Sequence, residues 1–122
     1  MNTVLWITQS FIALAFCYSG LCKSYFSEQK LVAMGQTGVE GLPLVFTRFI
    51  GVSEIIGALG LILPHWINVY PILTPIAAFC LAFIMPFAAV IHYKRNEYRN
   101  VITNVIIFGV CLFIAWGRLR YG

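Results

Sequence analysis

The chain has 122 residues, 61% of them hydrophobic and only 10% charged, with a formal net charge of +4 and a mean hydropathy of +0.88. A soluble domain of this size needs far more polar surface to cover its core, so the composition excludes a soluble globular enzyme, a nucleic-acid binder, a disordered chain and a disulfide scaffold. Its eight basic residues are spread along an apolar chain, a pattern that flanks membrane spans rather than building a phosphate-reading patch.

Four apolar blocks follow one another between polar punctuation. The first, Val4 to Cys22, begins behind Asn2 and Thr3 as expected caps. It has no Lys or Arg n-region and no A-x-A-like cleavage site, so it reads as a span and not as a cleaved signal; bulky Phe16 likewise argues against a lipid-modified Cys17. The connection from Lys23 to Pro43 is the only long one, and its Leu31, Met34 and Val39 suggest a short helix lying in the interface. The second block, Leu44 to Leu63, is bracketed by Pro43 and by Pro64, which is expected to stop the helix. The third covers Ile72 to Ile91 after Pro71, with Pro75 and Pro86 as candidate kinks, and the fourth covers Val101 to Gly117 after Asn100. Each block is about 17 to 20 residues long, and at about 1.5 Å per residue that crosses a hydrocarbon core of about 30 Å. The expected fold is all-α, an integral membrane four-helix bundle forming one domain over residues 1–122, with a short interfacial segment between the first two spans.

Lys23, Lys30, Lys94, Arg95 and Arg99 fall on one side of the membrane with Arg48 close by, against Arg118 and Arg120 on the other. The richer side is placed in the cytoplasm and both termini outside it.

Glu54 lies near the middle of the second block, where an ionised carboxylate costs several kcal/mol, and a cost of that size marks a site by default. On a helical wheel it shares a face with Thr47, Gly51, Ala58 and Leu61, opposite Val45, Phe49, Val52, Ile56 and Leu59. Small residues let helices approach and large apolar ones suit lipid, so Glu54 faces the bundle interior. The third block sorts Thr74, Ala78, Met85, Ala88 and His92 from Ile72, Ile76, Phe79, Phe83 and Phe87, and the fourth aligns Asn100, Asn104, Cys111 and Ala115. The first is ambiguous between a face with Gln9, Ala13, Gly20 and Lys23 and one with Ala15 and Tyr18. Tyr18, Lys23, Arg48, His92, Asn100 and Asn104 all belong to the basic half, so a polar pocket entered from that side is expected, with Glu54 at its floor and Tyr18, Lys23, Arg48, His92 and Asn104 as its candidate binding residues. Arg48 is equally able to snorkel outward, and Asn104 to serve as an interhelical donor.

Other chemistries leave weaker marks. Cys17, Cys22, Cys80 and Cys111 form no C-x-x-C pair and are expected to pack in the core. His65 and His92 fall on opposite sides, which disfavours bis-histidine haem ligation, and no phosphate loop or zinc helix motif is present. No metal site or cofactor is evident. Trp6, Trp66, Trp116 and Tyr121 read as interface anchors and Arg118 as a topogenic charge.

The runs Tyr18-Ser19-Gly20-Leu21-Cys22-Lys23 and Arg48-Phe49-Ile50-Gly51-Val52-Ser53-Glu54-Ile55-Ile56-Gly57-Ala58-Leu59-Gly60, with His92-Tyr93-Lys94-Arg95-Asn96-Glu97 and Ala115-Trp116-Gly117-Arg118, resemble the DoxX-like family of small bacterial four-span membrane proteins. The Gly-x-x-Glu-x-x-Gly-x-x-Gly core is the most specific part. The resemblance implies a location in the bacterial cytoplasmic membrane and more about fold than activity. It sets Lys23, Arg48, Glu54, His92 and Arg118 on recurrent polar positions of the family without assigning them roles. Its name, taken from a subunit associated with a thiosulfate:quinone oxidoreductase, brings in a quinone as the one cofactor to consider.

Three functions stay open at this point. The leading one is a non-enzymatic or accessory membrane protein that binds a small amphipathic or quinone-like molecule around Glu54, within a redox or stress-response complex. The others are an enzyme using Glu54 and His92 for proton transfer on an apolar substrate, and a small proton-coupled transporter. The expected partners are membrane lipid and such a ligand, with a homodimer or a redox-complex partner compatible with the small-residue faces and nucleic acid excluded.

Overall fold

A computed structural model describes residues 1–121. It contains α1 (Asn2–Tyr25), α2 (Glu28–Ala33), a 3-10 turn (Thr37–Val39), α3 (Leu44–Trp66), α4 (Leu73–Lys94) and α5 (Tyr98–Tyr121). The four long helices are each long and apolar enough to cross a membrane. They form an all-α bundle in which α1 lies along α3, α4 along α5 and α3 along α4, while α1 meets α5 to close the ring.

The sorting of residues follows from the spacing of small and large side chains. On α3, Thr47, Gly51, Glu54, Ala58 and Leu61 are buried, whereas Val45, Phe49, Val52, Ile56 and Leu59 are exposed. On α4, Thr74, Ala78 and Met85 point inward and Ile76, Phe79, Phe83 and Phe87 outward. The ambiguity of α1 resolves toward Gln9, Ala13 and Gly20, and Tyr18 is 61% exposed. Outward apolar residues cost nothing where the solvent is hydrocarbon. Two glycines decide how closely α1 and α3 approach. A Cβ on Gly20 would lie 2.6 Å from the Gly51 carbonyl oxygen, and one on Gly51 would lie 2.8 Å from that of Gly20.

Several boundaries differ from expectation. Asn2 opens α1 from inside and caps nothing, with Met1 in the cap position. Pro64 lies within α3, which continues to Trp66. A proline lacks only its own N–H, the donor to the carbonyl four residues back, so the helix can run on for two more residues. Pro86 also sits inside a continuous α4, and α5 begins at Tyr98, so that Asn100 is helical. Cys80 is exposed on the lipid-side face of α4 instead of packed in the core, while Cys22 and Cys111 are buried. That face neighbours acyl chains in a membrane, and a thiol is apolar enough to lie there.

The long connection folds into a strap. Ser27 caps α2 by accepting from the Lys30 N–H, and Leu31 and Val39 bury themselves with Cys22 beneath Phe26 and Leu42. Gly35 and Gly41 turn it with φ of +95° and +83°, a region other residues enter with strain. The strap thus lies across the end of the bundle where the basic residues gather. In the other direction the interior is filled by an apolar cluster including Phe16, Leu61, Leu81, Met85 and Ile114.

Candidate functional site

Glu54 is 3% exposed at the middle of α3, and a carboxylate so deep needs a partner. It has one in Lys23 on the last turns of α1, whose Nζ donates to Glu54 Oε1 at 2.7 Å. The close Gly20–Gly51 crossing sets the register that makes this pair, since Lys23 Cβ would lie only 2.9 Å from a Cβ on Gly51. Arg48, one and a half turns before Glu54, is used otherwise. Its Nη1 donates to the carbonyls of Lys23 at 2.8 Å and Phe26 at 2.6 Å, satisfying groups that the end of α1 leaves without intrahelical donors.

Above this pair lies a cavity of about 390 Å³ between α1, α3, α4, α5 and the strap. Lys23, Glu54, His92 and Asn104 line it, together with apolar Phe16, Ile84, Met85 and Ile107. Four of the six residues expected around a pocket therefore share one. Tyr18 lies outside it because its position on α1 turns toward lipid, and Arg48 lies outside it because it is spent on the α1 terminus. Asn100, expected in the polar half, lines it too, whereas three kinds of lining were not anticipated: Ser19 on α1, Thr103 on α5, and Met34 to Gln36 on the strap. The row Asn100, Asn104 was visible at helical spacing; the strap residues carried no periodic signal. Asn104 Nδ2 is buried with no hydrogen-bond partner among the described residues. The cavity wall thus offers a donor that an occupant can satisfy.

A chain of charges runs from this wall to the strap. His92 Nδ1 is 2.8 Å from Glu97 Oε1, Arg95 Nε is 3.4 Å from the same oxygen, and Arg95 Nη1 donates to Glu40 at 3.1 Å. The His92 ring, with the Arg95 guanidinium beside it, holds the Glu97 carboxyl below its ordinary range, and the bond to Glu40 raises Arg95.

The opposite end holds a second polar cluster. Arg118, expected as a solvated topogenic charge, is 4% exposed. Its Nε donates to Gln9 Oε1, its Nη1 donates to Asn2 Oδ1 at 2.8 Å, and its guanidinium lies 5.3 Å from the Trp6 ring, which packs edge-on against His65. Gln9 Nε2 donates to the Leu61 carbonyl at 2.6 Å. Gln9, a member of one of the two candidate faces of α1, was the signal that could have exposed this cluster. Trp6 is therefore a packing residue, whereas Trp66 and Trp116 stay exposed as interface anchors do.

The family model described as DoxX-like matches residues 7–114. The chain belongs to the DoxX-like family. The match includes Lys23, Glu54, His92 and Asn104 of this DoxX-like protein, while Asn2 and Arg118 of the second cluster lie beyond it. No curated protein and no solved structure matches the chain. Its four apolar helices and its family make it a multi-pass integral membrane protein.

Proposed function

We propose that this DoxX-like protein is a binding protein for a small amphipathic molecule whose polar head rests against Lys23, Glu54 and Asn104. The cavity carries the reading: its volume lies within the range of small-molecule sites, and its mostly apolar lining is broken by polar groups that include Lys23, Glu54 and Asn104. The buried Asn104 donor calls for an acceptor oxygen in the ligand. A quinone-like head group, suggested by the family resemblance, fits that donor set, with Asn104 and Lys23 as the groups that would hold its oxygens; when bound it would supply two-electron redox chemistry. An accessory place in a redox or stress-response complex rests on the resemblance alone.

Proton transfer between Glu54 and His92 draws support from their sharing one cavity. Each already has a partner, Glu54 in Lys23 and His92 in Glu97, and the apolar cluster below Phe16 and Met85 fills the way to the opposite face. Both observations favour a binding site over catalysis or a transport path. We further infer a bacterial cytoplasmic membrane location with the strap in the cytoplasm and both termini outside.

The test is purification from native membranes in mild detergent, with mass spectrometry of what comes along. A roughly stoichiometric amphiphile retained by the wild type and lost on Asn104→Leu is the expected result. An empty protein, or equal retention by both, overturns the reading.

A further inference from the structure

How an occupant reaches the cavity follows from which lining residues are exposed. The strap lies over the aqueous end, where Met34 and Gly35 line the cavity and are themselves exposed. Leu31 and Val39 of the strap are buried, the Gly41 N–H donates to Glu28 at 2.6 Å, and Arg95 ties Glu40 to the α4–α5 connection. Two lateral edges remain. Between α3 and α4 the cavity is bordered by Ile50, Phe87 and Ile91; Phe87 and Ile91 are exposed too, but all three are large, and lower down these helices interlock, with Gly57 against Leu81 and Gly60 against Ala77. Between α1 and α5 the border is Ala15, Ser19 and Thr103, all small, and Ala15 and Thr103 are exposed while lining the cavity. The two helices are joined at their far ends, where Leu5 fills the space that Gly117 leaves and Gln9 holds Arg118. From that joint to the strap, the cavity lies between them.

We propose that the cavity exchanges its occupant with the bilayer through this α1–α5 seam, and that the ligand is a bilayer-resident amphiphile whose apolar chain passes between Ala15 and Thr103. The inference rests on the reading of the cavity as a binding site and adds where the ligand resides. A molecule already dissolved in hydrocarbon keeps its chain out of water throughout, so an aqueous gate gives it no advantage. Small side chains leave room for a chain against the helix backbones, as they do for a neighbouring helix. The apolar walls continue the lipid phase inward, and the polar floor ends it.

The experiment uses the full chain in phosphatidylcholine vesicles, its four native cysteines replaced by alanine and Ala88→Cys introduced as a reporter. Ala88 lines the cavity from α4, away from the seam. The reporter is treated with a bilayer-dissolved pyrenyl maleimide or with a charged trimethylammonium thiosulfonate present on both sides of the membrane. Ser27→Cys, on the exposed stretch before α2, serves as the aqueous control. Labelling by the apolar reagent and not by the charged one is expected, with loss of that labelling when Ala15→Trp or Thr103→Trp is added and no loss on Ile91→Trp. Labelling from water at the rate of the Ser27→Cys control overturns the proposal. So does a reporter that neither reagent reaches, or one blocked by Ile91→Trp alone. Should a tryptophan variant fail to fold, the comparison of reagents on the reporter alone decides. An amphiphile that copurifies with a protein labelled from water sinks the seam and leaves binding intact; labelling from the bilayer with nothing copurified does the reverse.

Discussion

Lys23 and Glu54 are worth more to each other than either is alone. With side chains 16% and 4% exposed, neither is hydrated enough to stand unpaired. Lys23→Met leaves a stranded carboxylate and is expected to cost about 3 kcal/mol or more, while the double change Lys23→Met, Glu54→Leu recovers most of that loss. Chemical unfolding in micelles of the two single variants and the double variant measures it, and additive losses would contradict the pairing. Glu97 gives a pH dependence whose sign follows from its lowered pKa. Its contribution to stability is complete above the ordinary value of 4.5 and fades as pH falls through the lower folded value. Melting temperature is therefore expected to drop in that acidic window for the wild type and to drop less for Glu97→Gln. A wild type and variant that lose stability in parallel would remove Glu97 from the account. At this scale the sequence announced Glu54 through the cost of placing it mid-membrane, but not its partner, because pairing across helices depends on a register that only the Gly20–Gly51 contact sets. Arg48 shows the same limit. That it would serve the end of α1 could not be known before α1 was seen to end at Tyr25.

The elements rest on close approach in one place and on coverage in another. At the α1–α3 crossing, a methyl group on Gly20 meets backbone oxygen and cannot be accommodated by a side-chain shift. Gly20→Ala is expected to force the helices apart, costing about 1–3 kcal/mol and loosening the Lys23–Glu54 bond. Unfolding in micelles reads the first effect, and the loss of non-additivity between Lys23 and Glu54 substitutions reads the second. Gly109, beside which a Cβ meets nothing within 4 Å, is the contrasting site where alanine should leave stability unchanged or slightly higher. The long helices were legible as apolar runs of spanning length, and on α3 and α4 a small face opposite a large one also told which side turns inward; α1, with no such contrast, was sorted only by its neighbours. The strap was legible only as a short helix. From Met34 to Pro43 the chain follows no period, and its course is fixed by Leu31, Val39, Glu28 and Glu40, whose contacts lie elsewhere in the sequence.

Across the whole molecule, polarity is arranged in layers. A charged end under the strap, an apolar middle and a second polar cluster at Arg118 succeed one another along the bundle axis. Interior and lipid-facing surfaces are both apolar, so composition identified a membrane protein but not where its cavity would open; that depended on which edges are closed by large side chains. The placement of the basic end predicts labelling of the 94–99 connection only from the cytoplasmic side in intact cells. A cysteine introduced at Asn96, reacting with an impermeant maleimide added outside, would reverse the orientation. The bond from Arg118 to Gln9 reaches further than its own corner. The amide of Gln9 belongs to α1 and the cation that engages it to α5, so its nitrogen is satisfied by α3 while its oxygen waits for α5 to dock. Closure of the ring is thereby specified by a directional bond as well as by packing, since a helix that docks out of register leaves that oxygen unmet in hydrocarbon.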